Sequence, residues 1–267
     1  MNYVKLYAGF LQKQAVVKKP LKIVLDCSNG TAGLILKKLR IPNSRFSIIN
    51  SKVDGRFPAH GPNPLEAGAL DDVKREIKKR KSDFGVVYDA DADRAVFVDN
   101  LGRPVPVHAI LYLLSLKSRP PYVADLYIAK TMKLLKLLPV FESRVGTFFV
   151  KREMKRRGAK LAAEFSGHYY FGDMKNADSG ILATIKVMNA LSELPYKLSE
   201  FTDLLPKFYF EQWNIRTKKT VAKSRSAGKW FLVVRPSNTE PLVRFFLGSR
   251  DKEVFLTELK KLKNRLF

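Results

Sequence analysis

Between Leu21 and Glu193, apolar runs of strand length alternate with longer stretches whose apolar residues recur at helical spacing. This alternation restricts the fold more than any other feature. A strand followed by a helix and another strand returns in the same direction, so such strands build a parallel sheet with helices on its faces. LKIVLD (21–26) is a buried-strand run, followed by CSNGTAG and a helix-like LILKKLRI. SRFSIIN (44–50) is a second strand, and PLEAGALDDVKREIKKRK (64–81) is a helix with proline near its first turn. DFGVVYD (83–89) and RAVFVDN (94–100) are the third and fourth strands. These elements predict a parallel, doubly wound α/β sheet.

A second set of the same kind follows. Helices at 107–118, 128–138 and 148–158 alternate with strands at 122–126, 139–145 and 160–166, and a helix over 177–193 closes the set. The last stretch changes character: strands at 208–217, 229–237 and 242–249 precede an amphipathic helix at 251–267. Strands followed by a helix predict a small α+β unit. The fold class is therefore α/β, with two successive doubly wound α/β domains and a small α+β C-terminal domain. Boundaries at 1–104, 105–197 and 198–267 follow from the Pro/Gly-rich LGRPVPV (101–107) and from Pro195 and Pro206.

With 46% hydrophobic residues, the chain can bury a sizeable core. No apolar run approaches the roughly 20 residues of a membrane span. The N-terminal MNYVKLYAGFLQKQ lacks the pattern of a signal peptide. One cysteine, Cys27, allows no internal disulfide and fits a reducing cytoplasm. The net charge of +24 suits an anionic partner, either nucleic acid or a phosphorylated small molecule. Equally, runs such as KREIKKRK (74–81) and KREMKRRGAK (151–160) sit at helical spacing, as solvated outer faces do. No nucleic-acid-binding motif is present to favour the first partner.

Three short segments carry chemistry. Asp89, Asp91 and Asp93 alternate with alanines between two strands, and Arg94 follows. Three carboxylates converging in a tight loop repel one another unless a cation joins them, and hard oxygen ligands suit Mg2+. Arg94 can grip a phosphate by its planar fork. An exposed acidic turn is the plain alternative; calcium loops share the spacing, but the EF-hand glycine and glutamate are missing here. Glu164-Phe165-Ser166-Gly167-His168 ends a strand with polar groups suited to sugar hydroxyls, and His168 can act as acid or base near neutral pH. It can also be an ordinary turn with a locally bonded histidine. Arg235-Pro236-Ser237-Asn238-Thr239-Glu240-Pro241 lies between two strands and suits a phosphate dianion, or a simple hairpin. His60 and His108 have weaker context and receive no catalytic role.

Together and in this order, DADADR (89–94), AEFSGH (163–168) and RPSNTEP (235–241) resemble the metal, sugar and phosphate loops of the α-D-phosphohexomutase superfamily. DCSNGTAG (26–33), DGRFPAHGPNP (54–64), SRVGTFFVK (143–151) and SGHYYFGDMKNADSGI (166–181) add to the likeness, the last two toward the phosphomannomutase/phosphoglucomutase branch. The resemblance covers essentially the whole chain. It implies that Asp89, Asp91 and Asp93 hold Mg2+ and that Arg94 contacts the transferring phosphoryl group. It implies that Glu164, Ser166 and His168 bind sugar, with His168 able to shuttle a proton, and that Arg144 lies near the sugar. Arg235, Ser237, Asn238 and Thr239 would hold the non-reacting phosphate.

The sequence departs from the family pattern at Ala90 and Ala163, each in place of glycine, and at Thr147, in place of the histidine of TRVGH. No TASHNP-like serine segment occurs in it. In the family that serine carries the phosphate exchanged between sugar C1 and C6. Three functions are consistent with these residues. The first is a phosphohexomutase acting on mannose or glucose 1- or 6-phosphate with the serine domain supplied from elsewhere. The second is a non-catalytic sugar-phosphate-binding protein derived from it. The third is a basic nucleic-acid-binding protein, which the motifs do not favour.

Overall fold

The computed structural model describes residues 2–217, 222–237 and 241–266. After an N-terminal helix, α1 (Tyr3–Gln14), the first module runs β1 (Leu21–Asp26), α2 (Ala32–Leu36), β2 (Ser44–Ile49), α3 (Asp71–Arg80), β3 (Phe84–Tyr88), β4 (Ala95–Asp99) and β5 (Pro104–Val105). Its sheet has the order β2-β1-β3-β4-β5. β1 is parallel to β2 and β3, whereas β3–β4 and β4–β5 are antiparallel. The parallel strands are those joined by crossovers. The connection over residues 89–94 is too short for one, so β4 turns back beside β3.

The second module repeats this plan. It comprises α4 (Val107–Ser115), β6 (Tyr122–Asp125), α5 (Leu126–Leu135), β7 (Phe141–Ser143), α6 (Thr147–Arg157), β8 (Leu161–Ala163), β9 (Tyr169–Phe171), β10 (Ala177–Asp178) and α7 (Gly180–Glu193). Read from β7, the order is β7-β6-β8-β9-β10, with β6 parallel to β7 and β8 and the last two pairings antiparallel. In each module the short third connection, 89–94 in one and 164–168 in the other, holds a motif singled out above. α8 (Leu198–Leu204) leads to the C-terminal unit of β11 (Tyr209–Arg216), β12 (Lys223–Ala227), β13 (Trp230–Pro236), β14 (Leu242–Ser249) and α9 (Lys252–Leu266).

Strand faces alternate as the period of two demands. In the first sheet Val24, Val87 and Val98 pack on Val73 and Ile77 of α3. Ile23, Leu25, Phe84, Val86 and Phe97 point the other way, into the largest core, shared with α1, α4, α7 and the second sheet. Phe97 meets Tyr169 edge-on at 5.9 Å, so the two modules share one apolar interior. α7 lies within it, with eleven buried residues among Gly180–Glu193. In the C-terminal unit Phe231, Val233 and Phe246 face Tyr127 of α5, while Leu232, Val234 and Leu247 face Phe255 and Leu259 of α9.

The helix expected over 64–81 begins only at Asp71, because Gly61 and Gly68 hold φ of +82° and +83° and the chain turns through 64–70. The C-terminal sheet gains β12, an edge strand absent from the three expected ones. Its residues, KSRSA, are all exposed and carry no apolar signal. α1 has an N-cap in Asn2, and the segment after it is tied to α7. Val16 N–H donates to Asn189 Oδ1 (2.7 Å), Lys18 N–H to Ser192 Oγ (2.9 Å) and Asn189 Nδ2 to Gln14 O (2.8 Å). No helix among the described residues is long and apolar enough to cross a membrane.

Candidate active site

Asp89, Asp91 and Asp93 lie on the turn from β3 to β4, and each presents a carboxylate oxygen within 4.8 Å of the others. The turn closes through Ala92, which takes φ of +65°. Ala90 is not among the left-handed residues, so alanine there carries no backbone strain. Backbone donors grip the turn from two sides: Thr31 N–H bonds Ala90 O at 2.8 Å, and Gly180 N–H bonds Ala92 O at 3.0 Å. At Gly30 a Cβ would sit 2.3 Å from Ala90 O, closer than any real contact. Gly30→Ala is therefore expected to displace the acidic turn. It should lower stability by about 1–3 kcal/mol, in the manner of an overpacked core. Thermal unfolding checks this, and a variant as stable as the parent would show that the turn yields freely.

Arg94 donates from Nε to Asp89 Oδ2 at 2.6 Å and reaches Asn63 Oδ1 at 3.3 Å. Burial raises Asp89 to about 6, with the neighbouring charge of Asp93 adding to it and Arg94 opposing. Oδ1 of Asp93 is buried beside His168 Nε2, at 3.4 Å. Three hard oxygen donors around a concentration of negative charge fit a small divalent cation such as Mg2+. A cavity of about 260 Å³ opens beside the turn, lined by Tyr7, Thr31, Leu34, Asp91, Asp93 and Ser179.

The sugar segment meets this turn directly. Arg94 and His168 form an antiparallel bridge, and Ala95 N–H donates to Gly167 O at 3.0 Å. Gly167, at φ of +93°, makes the approach possible. His168 Nε2 stands 3.4 Å from Asp93 Oδ1, and its Nδ1 is 2.8 Å from Ser166 Oγ. Burial alone would lower the His168 pKa; hydrogen bonding and charge from Asp93, with Glu164 and Asp178, outweigh it and raise it. The same hydrogen bond to His168 holds Asp93 below the usual carboxylate range. Glu164 is turned inward, its Oε2 3.8 Å from His168 Nδ1. It is 2% exposed, with Oε1 accepting Gly146 N–H at 2.6 Å and Oε2 accepting the Tyr170 hydroxyl. In this conformation it offers no oxygen outward. Arg144 is exposed, its guanidinium stacked 4.2 Å above the Phe149 ring.

The phosphate segment reaches the others through aromatic contacts. Arg235 Nε donates to Tyr127 Oη at 2.7 Å, and Tyr127 packs on Phe165 at 5.8 Å. Ser237 N–H bonds Leu242 O, and Arg244 donates to Ser237 Oγ at 3.4 Å. Asn238 and Thr239 lie outside the described residues. Contacts thus run from Arg235 through Tyr127 to Phe165, in the same segment whose His168 stands beside Asp93. Four residues not singled out in the sequence join the site: Asp125 and Tyr127, which carry no signal there, and Asn63 and Tyr170, which lie in the family-like segments 54–64 and 166–181. Asp125 accepts N–H groups from Ile128 and Phe165, both at 2.9 Å, and so binds the sugar segment to α5. His108, given no role, is buried against Phe208, and burial pushes it down to about 4.

Comparison with known proteins bears on these loops. Residues 2–102 match the family model of phosphoglucomutase/phosphomannomutase, alpha/beta/alpha domain II; residues 124–208 match domain III, and residues 182–262 match the C-terminal domain. A phosphomannomutase of Methanocaldococcus jannaschii is 30% identical over 99% of this chain and 65% of its own length. A phosphomannomutase/phosphoglucomutase of Pseudomonas syringae pv. tomato is 31% identical over 77% of this chain and 46% of its own. The chain thus spans less than two thirds of the length of these relatives. In three dimensions it superposes on a phosphoglucomutase/phosphomannomutase family protein of Burkholderia thailandensis with a TM-score of 0.85 at 21% identity, covering 98% of this chain and 64% of that one. It also superposes on the N-acetylphosphoglucosamine mutase of Aspergillus fumigatus, solved with GlcNAc-6P and magnesium, with a TM-score of 0.70 at 16% identity, over 98% and 69% of the two chains. Matched by three successive domain models, with the segments at 89–94, 163–168 and 235–241 each falling within one of them in that order, the chain belongs to the phosphoglucomutase/phosphomannomutase family.

Proposed function

We propose that this chain carries the metal, hexose and phosphate sites of a phosphohexomutase of the phosphomannomutase/phosphoglucomutase type, which interconverts hexose 1- and 6-phosphates. The observation that carries the reading is the bridge between Arg94 and His168, which makes the acidic turn and the sugar segment one surface. Asp89, Asp91 and Asp93 would hold Mg2+, whose charge, when bound, offsets that of a phosphoryl oxygen. Arg94, held by Asp89, presents the rest of its guanidinium to the transferring phosphoryl group. Ser166 and His168 face hexose hydroxyls, and His168 exchanges a proton with the reacting one. Arg144 lies beside the sugar. Arg235 and Ser237, with Asn238 and Thr239, hold the phosphate that does not react. The phosphorylated serine of the family is supplied by a separate domain, since in-line transfer needs a positioned donor.

Two measurements test this. Titration calorimetry should show Mg2+ binding that weakens about tenfold or more in Asp91→Asn and Asp93→Asn, since each removes a charged ligand. A mutase assay on glucose 1-phosphate and mannose 1-phosphate should give little or no turnover from the chain alone, and turnover once a serine-bearing domain from a relative is added. Tight phosphosugar binding that stays silent with the added domain identifies a non-catalytic binding protein instead. Failure to bind either phosphosugar with Mg2+ present defeats both readings.

A further inference from the structure

We propose that Tyr170 is a positioning residue, whose hydroxyl locks the Arg144 loop to the sugar segment through Glu164; the inference rests on the phosphosugar site proposed above. Tyr170 is fully buried on β9. Its hydroxyl donates to Glu164 Oε2 and lies 3.1 Å from Thr147 Oγ1. The other carboxylate oxygen accepts Gly146 N–H. Glu164 therefore clasps both ends of the Gly146–Thr147 step, one directly and one through Tyr170.

That step matters because of what flanks it. Arg144 stands two residues before Gly146, and Phe149, on which its guanidinium stacks, three residues after. Gly146 itself takes φ of +123° and has no side chain to fix the turn. Among the described residues Arg144 has no carboxylate partner, so its place depends on the backbone beneath it and on Phe149. The buried network supplies that backbone constraint. Thr147 occupies the position where the family pattern has histidine, and here its hydroxyl is part of the clasp.

Tyr170→Phe removes only the hydroxyl, and Thr147→Val only its neighbour. Tyr122→Phe is the control: Tyr122 Oη bonds Ser118 O and Ser115 O, away from the site. Dissociation constants for glucose 1-phosphate and mannose 1-phosphate are measured with Mg2+, and amide exchange is followed across residues 143–150. Tyr170→Phe is expected to weaken phosphosugar binding about tenfold, the worth of one buried hydrogen bond, and to speed exchange of Gly146. Thr147→Val should act in the same direction, more weakly. Tyr122→Phe should lower the melting temperature and leave both readouts unchanged. A folded Tyr170→Phe with wild-type affinity overturns the proposal, as does unchanged Gly146 exchange. A wild-type chain that binds no phosphosugar is a different failure: it removes the function proposed above and this inference with it.

Discussion

Phe246→Ala is expected to cost about 3–5 kcal/mol, the range for a buried aromatic whose cavity cannot collapse. Phe246 is fully buried, with ring centroids of Tyr127 at 4.8 Å, Phe165 at 5.0 Å, Phe210 at 5.5 Å and Phe231 at 5.8 Å. Two of these belong to the C-terminal sheet and two to the second module, so the loss falls on the docking of one against the other. Trp213 and Trp230, the only tryptophans, both lie in the C-terminal unit. Their fluorescence in a urea titration should show a midpoint lowered further than that of far-UV circular dichroism, which reports the helices. Coincident transitions and a loss below about 1 kcal/mol would show that other contacts hold the unit in place.

The second large effect concerns pH. Asp125 is completely buried, and burial raises it from 3.8 to about 7 although backbone N–H groups of Ile128, Phe165 and Tyr127 favour its anion. A carboxyl raised in the folded state favours the protonated fold. Its contribution is therefore complete below about pH 4 and is lost as pH rises to about 7, a change on the order of 4 kcal/mol. Other carboxylates work the other way: hydrogen bonds from Arg80, Arg156, Arg103 and Lys229 hold Glu76, Glu153, Asp203 and Asp251 low. Comparison with Asp125→Asn isolates the contribution of this carboxyl. The stability of the wild type relative to the variant should fall steadily between pH 4 and pH 7. A constant difference would mean that Asp125 is ionised in the fold throughout.

Much of the architecture is legible because burial leaves a local trace. β3 reads as an apolar run since all five of its residues are buried, and β13 opens on the apolar run WFLVV because its two faces meet α5 and α9. Where burial leaves no trace the reading fails. β12 is exposed throughout and carries no bulky apolar residue, and its place in the sheet comes from pairing with β13. The alternation of elements predicts parallel strands throughout, yet the short connections at 89–94 and 164–168 force antiparallel returns, and both site loops sit on them.

By itself the sequence determined the residue types of the three site segments, their order and the strands they interrupt. Those properties are carried by neighbours in the chain. Tertiary structure alone decided that the acidic and sugar turns are joined by a backbone bridge, that Tyr127 connects Arg235 to the sugar segment, and that Glu164 points inward to Gly146 and Tyr170. The reason is that contacts such as Arg94–His168 and Tyr127–Arg235, 74 and 108 positions apart, depend on how whole sheets pack, and even the nearer partners of Glu164 sit on separate elements; local periodicity holds no record of which surfaces will meet.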